Sequence, residues 1–212
     1  MIIGDIMNLD QVIEAARDCS VVYNFAAIAD IDEAHNKPIP TATINVLGNM
    51  HVLEAARIAG ARRFVFASSV YVYSESGSFY RASKQAAERF TETYHERYGL
   101  DYNILRYGSL YGRRADKRNG IYRMLLEAVK NHSITYKGSG EAMREYIHVE
   151  DAARMSVQIL APEFANRHLI LTGQEKMRIK DVMTMISEIL PWSVELHFDE
   201  ANAVHHYEIT PY

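Results

Sequence analysis

The feature that most constrains this 212-residue chain is its alternation of short apolar runs with stretches of helical periodicity. "SVVYNFAA" at 20–27, "RRFVFASS" at 62–69 and "DYNILRYGSLYG" at 101–112 are apolar runs that end in small or polar residues. "LDQVIEAARD" at 9–18, ahead of the first, and "RASKQAAERFTETYHERYG" at 81–99, between the second and third, read as helices. A third helix starts near Pro40 with Val46, Met50, Leu53 and Ala56 on one face, and Gly60 stands where a C-terminal cap belongs. Strands separated by helices of this length give an α/β fold with a parallel sheet. Strands are expected near 2–5, 21–25, 63–67 and 102–106, the first of them in "MIIGDI".

After Gly112 the rhythm changes. "RRADKRNG" is a polar, basic loop, and "IYRMLLEAVKNH" is an amphipathic helix. The stretch 133–160 runs from a strand through a glycine-rich turn into a helix, and 168–190 reads as strand, turn and helix. Residues 1–112 therefore form one part and 113–212 mainly a smaller lobe, with 145–160 packing back on the first part.

A net charge of −4 leaves no nucleic-acid footprint, which needs a basic stripe or domain. No apolar run approaches a membrane span. The single Cys19 allows no internal disulfide and suits a reducing cytoplasm. The nine histidines form no HExxH or CxxC-type cluster, so no metal site is expected.

In open parallel sheets, ligands sit at the carboxyl ends of the strands. Tyr80 follows Ser69 by eleven residues and precedes Lys84 by four. On a helix, Tyr80 and Lys84 share a face. A nearby ammonium favours the phenolate, which suits Tyr80 to proton transfer, and Ser69 adds a hydroxyl for a substrate oxygen. With fourteen tyrosines, a Tyr-x-x-x-Lys pair alone carries little weight.

Its neighbours carry more. "GDI" at 4–6, "VVYNFAA" at 21–27, "NVLGNMHVLEAA" at 45–56, "FASSVYVYS" at 66–74, "YRASK" at 80–84, "LRYGSLYGRR" at 105–114 and "REYIHVEDAA" at 144–153 stand in order along the chain. Together they resemble the extended short-chain dehydrogenase/reductases, the nucleotide-sugar epimerase/dehydratase family. The resemblance implies a Rossmann-type doubly wound sheet that binds NAD, NADP not excluded, and a smaller lobe for a nucleotide sugar. It implies Ser69, Tyr80 and Lys84 as the catalytic residues. It places Asp5, Ile6, Phe25, Ala26, Ala27, Asn45, Ser68, Tyr80, Lys84 and Tyr107 at the cofactor, although Asn45 by itself reads as a buried amide. It places Ser69, Tyr71 and Arg144 at the substrate, Arg144 on a diphosphate. Arg106 reads as an ion-pair residue, and "IADIDEAHNKP" at 28–38 as a loop that in the family borders the substrate. The family's dimer interface corresponds to helices 40–59 and 83–98.

Three departures qualify this. First, the family's glycine-rich turn G-x-x-G-x-x-G, which seats a pyrophosphate on a helix N-terminus, is missing from the 212 residues. The chain corresponds to the family from its third strand onward, and it stops at "HHYEITPY" without the usual closing segment. A fragment with an incomplete cofactor domain and weak NAD binding is expected, with the strand at 21–25 as an exposed edge. Second, the link from Ser69 to Tyr80 is short and free of proline. Third, Val70 and Tyr71 stand where dehydratases carry acids. The implied activity is an epimerase with transient hydride transfer; the alternatives are a net NAD(P)-dependent sugar oxidoreductase, an inactive fragment or a dimerising module.

Overall fold

The structure, a computed structural model, describes residues 1–202. It divides into two compact units, one of residues 1–107 and 155–170 and one of 108–154 with the described residues from 171 onward. The expectation attached to "HHYEITPY" lies outside the described residues.

The first unit is an α/β layer. Helix α1 (Leu9–Ala16) starts at Asn8, whose side chain accepts from the Gln11 amide. Strand β1 (Val21–Asn24) follows, then helices α2 (Ile31–Asn36) and α3 (Pro38–Ala42). A π-helical turn (Thr43–Gly48) runs into α4 (Asn49–Ile58). Gly60, at φ +66°, closes α4 with the Ala61 amide on the Ala56 carbonyl and its own amide on that of Arg57. This double bond pattern is the Schellman cap that a glycine without a Cβ allows. Strand β2 (Arg63–Ser69), helix α5 (Ser78–Tyr98) and strand β3 (Tyr102–Tyr107) complete the alternation.

Strands β1 and β2 pair in parallel, as do β2 and β3, and Ser68 lies beside Arg106 and Ser69 beside Tyr107. A later strand, β7 (Arg167–Leu171), takes the far side, so the order is β1-β2-β3-β7. The central strands β2 and β3 are buried almost throughout, as expected of strands covered on both faces, while β1 is mostly half-buried at the sheet edge. Val52, Leu53, Ala56, Phe64, Phe66, Ala87 and Ile104 form the core between sheet and helices.

Two expectations fail here. Met1–Asp5 is exposed and forms no strand. Among the described residues no strand pairs with it, and a strand needs a ladder partner for its backbone groups. The segment instead runs into α1 and is held at Ile6, whose carbonyl lies 3.0 Å from His51 Nδ1. The stretch expected as a loop at 28–38 contains α2, capped by the Asp30 carboxylate on the Glu33 amide at 2.8 Å. Asp followed three residues later by Glu is a capping-box pattern that the sequence already displayed.

The second unit holds strands β4 (Ser109–Tyr111), β5 (Ser133–Tyr136), β6 (Met143–His148), β8 (Lys176–Arg178) and β9 (Glu195–Phe198). Helices α6 (Gly120–Asn131) and α8 (Ile179–Ile189) pack on Ile134, and helix α7 (Val149–Gln158) leads back into the first unit. Its sheets are β4-β6-β8 and β5-β9. The stretch read as strand, turn and helix at 133–160 thus contains a further strand, β6. Gly173 runs so close to β6 that a Cβ there would lie 2.0 Å from the Tyr146 carbonyl oxygen.

Candidate active site

The carboxyl end of β2 presents Ala67, Ser68 and Ser69, and the first two turns of α5 present Tyr80 and Lys84 opposite them. The short connection is built from a 3-10 turn (Val70–Tyr73), which the Ser69 hydroxyl caps by accepting from the Tyr71 amide at 3.3 Å. Gly77, at φ +100°, then turns the chain into α5, where a Cβ would lie 2.8 Å from the Tyr71 ring. Arg81 donates to the Ser74 carbonyl at 2.7 Å and Gln85 to that of Val72 at 2.8 Å, so the link is strapped along the helix.

Tyr80 and Lys84 are both buried. Burial pushes the Tyr80 phenol above its ordinary pKa, and a hydrogen bond from Ser69 partly offsets this. The Lys84 ammonium donates to the Ala67 carbonyl at 2.7 Å and lies 4.9 Å from the Phe66 ring centroid and 5.8 Å from that of Tyr80. Burial lowers its pKa from 10.5 to about 8, opposed by the charge of Glu88. The sequence reading had the ammonium favouring the phenolate. In the structure desolvation dominates at Tyr80, and the Lys84 hydrogen bond goes to the backbone of β2. The Tyr71 ring meets that of Tyr80 edge-on at 6.1 Å.

The other expected residues fall into separate places. Phe25 and Ala26 are exposed and Ala27 is half-buried, just past the end of β1, with the Ala26 amide on Asn24 Oδ1 at 3.1 Å. Phe25 stacks on Tyr23 at 6.0 Å and lies 6.3 Å from Tyr107, whose hydroxyl is 2.6 Å from Ser156 Oγ. Asn45 is buried in the π-helical turn; its side chain accepts from the Ile28 amide at 2.8 Å and donates to the Ile28 carbonyl at 3.1 Å and Ser83 Oγ at 2.9 Å. It thereby ties the segment after β1 to α5. Asp5 is exposed and accepts from the Met7 amide at 2.9 Å. Ile6 packs against Gly48, the last residue of the π-helical turn. Arg144 lies in the second unit, buried on β6 beside Met177, and donates to the Met143 carbonyl at 2.7 Å.

Sequence reasoning missed the group behind Lys84. The Glu88 carboxylate, on the next turn of α5, accepts from Ser68 Oγ at 2.5 Å and from Arg106 Nε at 3.0 Å and Nη2 at 2.6 Å. Arg106, the expected ion-pair residue, also donates to the Tyr73 hydroxyl at 2.5 Å and to His168 Nδ1 at 2.7 Å. Part of the signal was available: Tyr80, Lys84 and Glu88 follow at intervals of four, one line of ionisable side chains on the buried face of α5.

The chain is 27% identical over 201 residues to a putative UDP-glucose 4-epimerase of Methanocaldococcus jannaschii, covering 87% of this chain and 65% of that protein. It is 30% identical over 159 residues to UDP-glucose 4-epimerase of Mycolicibacterium smegmatis, covering 67% of this chain and 51% of that one. The chain thus spans less than two thirds of either relative. A crystal structure of a Tyr-to-Phe mutant of UDP-glucuronic acid 4-epimerase from Bacillus cereus, in complex with UDP-4-deoxy-4-fluoro-glucuronic acid and NAD, superposes with a TM-score of 0.90 at 24% identity. That superposition covers 99% of this chain and 71% of the crystallised one, and it fixes the fold as that of a Rossmann-type epimerase. The sequence pattern of the NAD dependent epimerase/dehydratase family matches residues 1–170, a span that includes every residue of the Ser69–Tyr80–Lys84 group, and the chain belongs to that family.

Proposed function

We propose that this chain carries the catalytic group of an NAD-dependent nucleotide-sugar epimerase. The single observation that carries the reading is that Ser69 ends β2 while Tyr80 and Lys84 stand on the first two turns of α5, the Lys84 ammonium on the Ala67 carbonyl of β2 and the Ser69 hydroxyl lowering the Tyr80 pKa against burial. The residues present fit one half of the cofactor. An ammonium beside a phenol on one face of α5 is a donor set suited to a ribose and a nicotinamide ring. The diphosphate half has no glycine-rich turn in these 212 residues to receive it.

Bound there, NAD supplies a hydride acceptor. Tyr80 takes the proton of a sugar hydroxyl, with Ser69 orienting that hydroxyl by hydrogen bonding. For this the Tyr80 phenolate must be stabilised by the Ser69 donor and the Lys84 charge against the burial that raises its pKa. Lys84 holds the ribose and keeps its ammonium beside the phenol, while Asp5, Ile6, Asn45, Ser68 and Tyr107 border the cofactor. Tyr71 and Arg144 contact the substrate, Arg144 through its planar fork of donors on the diphosphate. Epimerisation returns the hydride to the other face of the keto sugar, so no net redox change results. Val70 and Tyr71 after Ser69 offer no general acid for water elimination, which favours epimerase over dehydratase.

In this reading the first unit is the cofactor part and the second the substrate lobe. A homodimer through helices 40–59 and 83–98 is supported by exposed apolar side chains on them, Leu47, Ile58 and Tyr98. Among the described residues no helix is long and apolar enough to cross a membrane, in keeping with a cytoplasmic enzyme.

The test is conversion of UDP-glucose to its 4-epimer in the presence of NAD, followed by NMR of the sugar, with absorbance at the NADH band recorded in parallel. Conversion without NADH accumulation, lost in Tyr80→Phe by about 10²–10⁴-fold, supports the reading. Stoichiometric NADH would replace it by the oxidoreductase, and an equal rate in Tyr80→Phe would remove Tyr80 from the chemistry.

A further inference from the structure

Lys84 is a buried cation whose hydrogen bond goes to a backbone carbonyl, and such a group is costly unless a counter-charge stands near. Helix α5 provides one a turn further on. Glu88 is buried to 5% exposure and is joined to three elements at once. It sits on α5, accepts from Ser68 on β2, and accepts two hydrogen bonds from Arg106 on β3. The residue before Ser68 is the one that holds Lys84 by its carbonyl, and the residue after it is the one that bonds Tyr80. The Glu88–Ser68 bond therefore fixes β2 against α5 in the middle of the catalytic group.

Resting on the proposed catalytic role of Lys84, we propose that Glu88 is the positioning residue of the Ser69–Tyr80–Lys84 group, registering the strand end against the helix and keeping the Lys84 ammonium charged. Arg106 restrains this function, since it shares the Glu88 charge. The carboxylate is bonded directly to the Arg106 guanidinium and stands one turn of α5 beyond Lys84.

The other groups facing this carboxylate are accounted for. From β7, His168 Nδ1 lies 3.8 Å from Glu88 Oε2 and its Nε2 lies 2.9 Å from Glu92 Oε1. Its Nδ1 also lies 2.7 Å from Arg106 Nη2, so the ring bridges the Arg106 guanidinium and Glu92. Tyr73 lies on Arg106 with its ring centroid 4.7 Å from the guanidinium carbon, and Tyr102 of β3 feels the charges of Glu92, Glu96 and Glu88. On the Lys84 side stand the Phe66 and Tyr80 rings. Glu88 is the anion whose charge opposes the lowering of the Lys84 pKa by burial.

The experiment is an NMR titration of the lysine side-chain carbons in the full chain without cofactor or substrate, with the Lys84→Met spectrum assigning the resonance. Glu88→Gln keeps the shape and an acceptor for Ser68 but removes the charge. The Lys84 midpoint is expected to fall by about half a pH unit or more, and to stay near the wild-type value in Glu88→Asp. Arg106→Gln, which leaves the Glu88 charge uncompensated, is expected to move the midpoint upward and serves if Glu88→Gln does not fold. An unchanged midpoint in a folded Glu88→Gln, or a fall in Arg106→Gln, overturns the proposal. Because no turnover is read, loss of the epimerase reading through an active Tyr80→Phe leaves this result standing, and the two failures are distinguishable.

Discussion

Lys84 Nζ lies 2.7 Å from the Ala67 carbonyl oxygen, so the buried ammonium is anchored to the strand that carries Ser69. The bond fixes the lysine against the backbone of β2, but it does not repay removal of the charge from water, and the pKa falls from 10.5 to about 8.

This has a sign in stability. Between pH 8 and 10.5 the unfolded chain keeps a proton on Lys84 that the folded chain releases, so stability gains from this residue as pH rises through that window. Below pH 8 both states hold the proton, and the burial cost of the cation is fully present. Lys84→Met is expected to be more stable than wild type at pH 7 by up to about 3 kcal/mol, less what Ala67 and Glu88 contributed. The difference should shrink toward pH 10. Urea unfolding of both proteins across that range checks it; a difference independent of pH would mean that Lys84 titrates normally.

Breaking the pair on the other side of Glu88 acts in the opposite direction. Arg106 and Glu88 side chains are 14% and 7% exposed, and Arg106→Met leaves the carboxylate buried without its guanidinium. A loss of about 3–5 kcal/mol in unfolding free energy is expected, well above that of an exposed pair such as Arg118–Asp116.

Gly173→Ala places a methyl 2.0 Å from the Tyr146 carbonyl oxygen, and backbone cannot yield as a side chain would. A loss of about 4 kcal/mol or more is expected in chemical denaturation. Gly120→Ala, at the first turn of α6 with nothing within 4 Å, is the control and should be neutral or slightly stabilising.

Asn45→Ala removes both bonds to Ile28 and the bond to Ser83. Leaving these groups unpaired costs about 1–3 kcal/mol each where they stay buried. The Ile28 amide should exchange faster with solvent, and limited proteolysis should cut residues 25–30 first.

The alternation of strands and helices was legible because β2 and β3 are covered on both faces and carry an apolar centre, which a short run such as "RFVFASS" shows directly. The Tyr80–Lys84 spacing was legible for the same kind of reason: a period of four is a helix property that needs no tertiary knowledge. Met1–Asp5 was misread because apolar composition does not supply the neighbour that a strand requires. Glu88 was missed since its meaning lies in Ser68 and Arg106, residues 20 and 18 positions away on two other elements. The π-helical turn at Asn45 was likewise invisible, because helical periodicity does not reveal one inserted residue.

The fourth strand of the first sheet, β7, begins 60 residues after β3 ends, with most of the second unit encoded between them. On the ribosome, where chains grow by about 5–20 residues per second, β3 waits about 3–12 s for that neighbour. During this interval Tyr102 has not yet met Asn166, and Asn103 has not met the Phe164 carbonyl. The first unit therefore cannot finish until residues 108–154 of the second have been made, and nascent chains stalled before residue 155 should expose the β3 side of the sheet to chaperones.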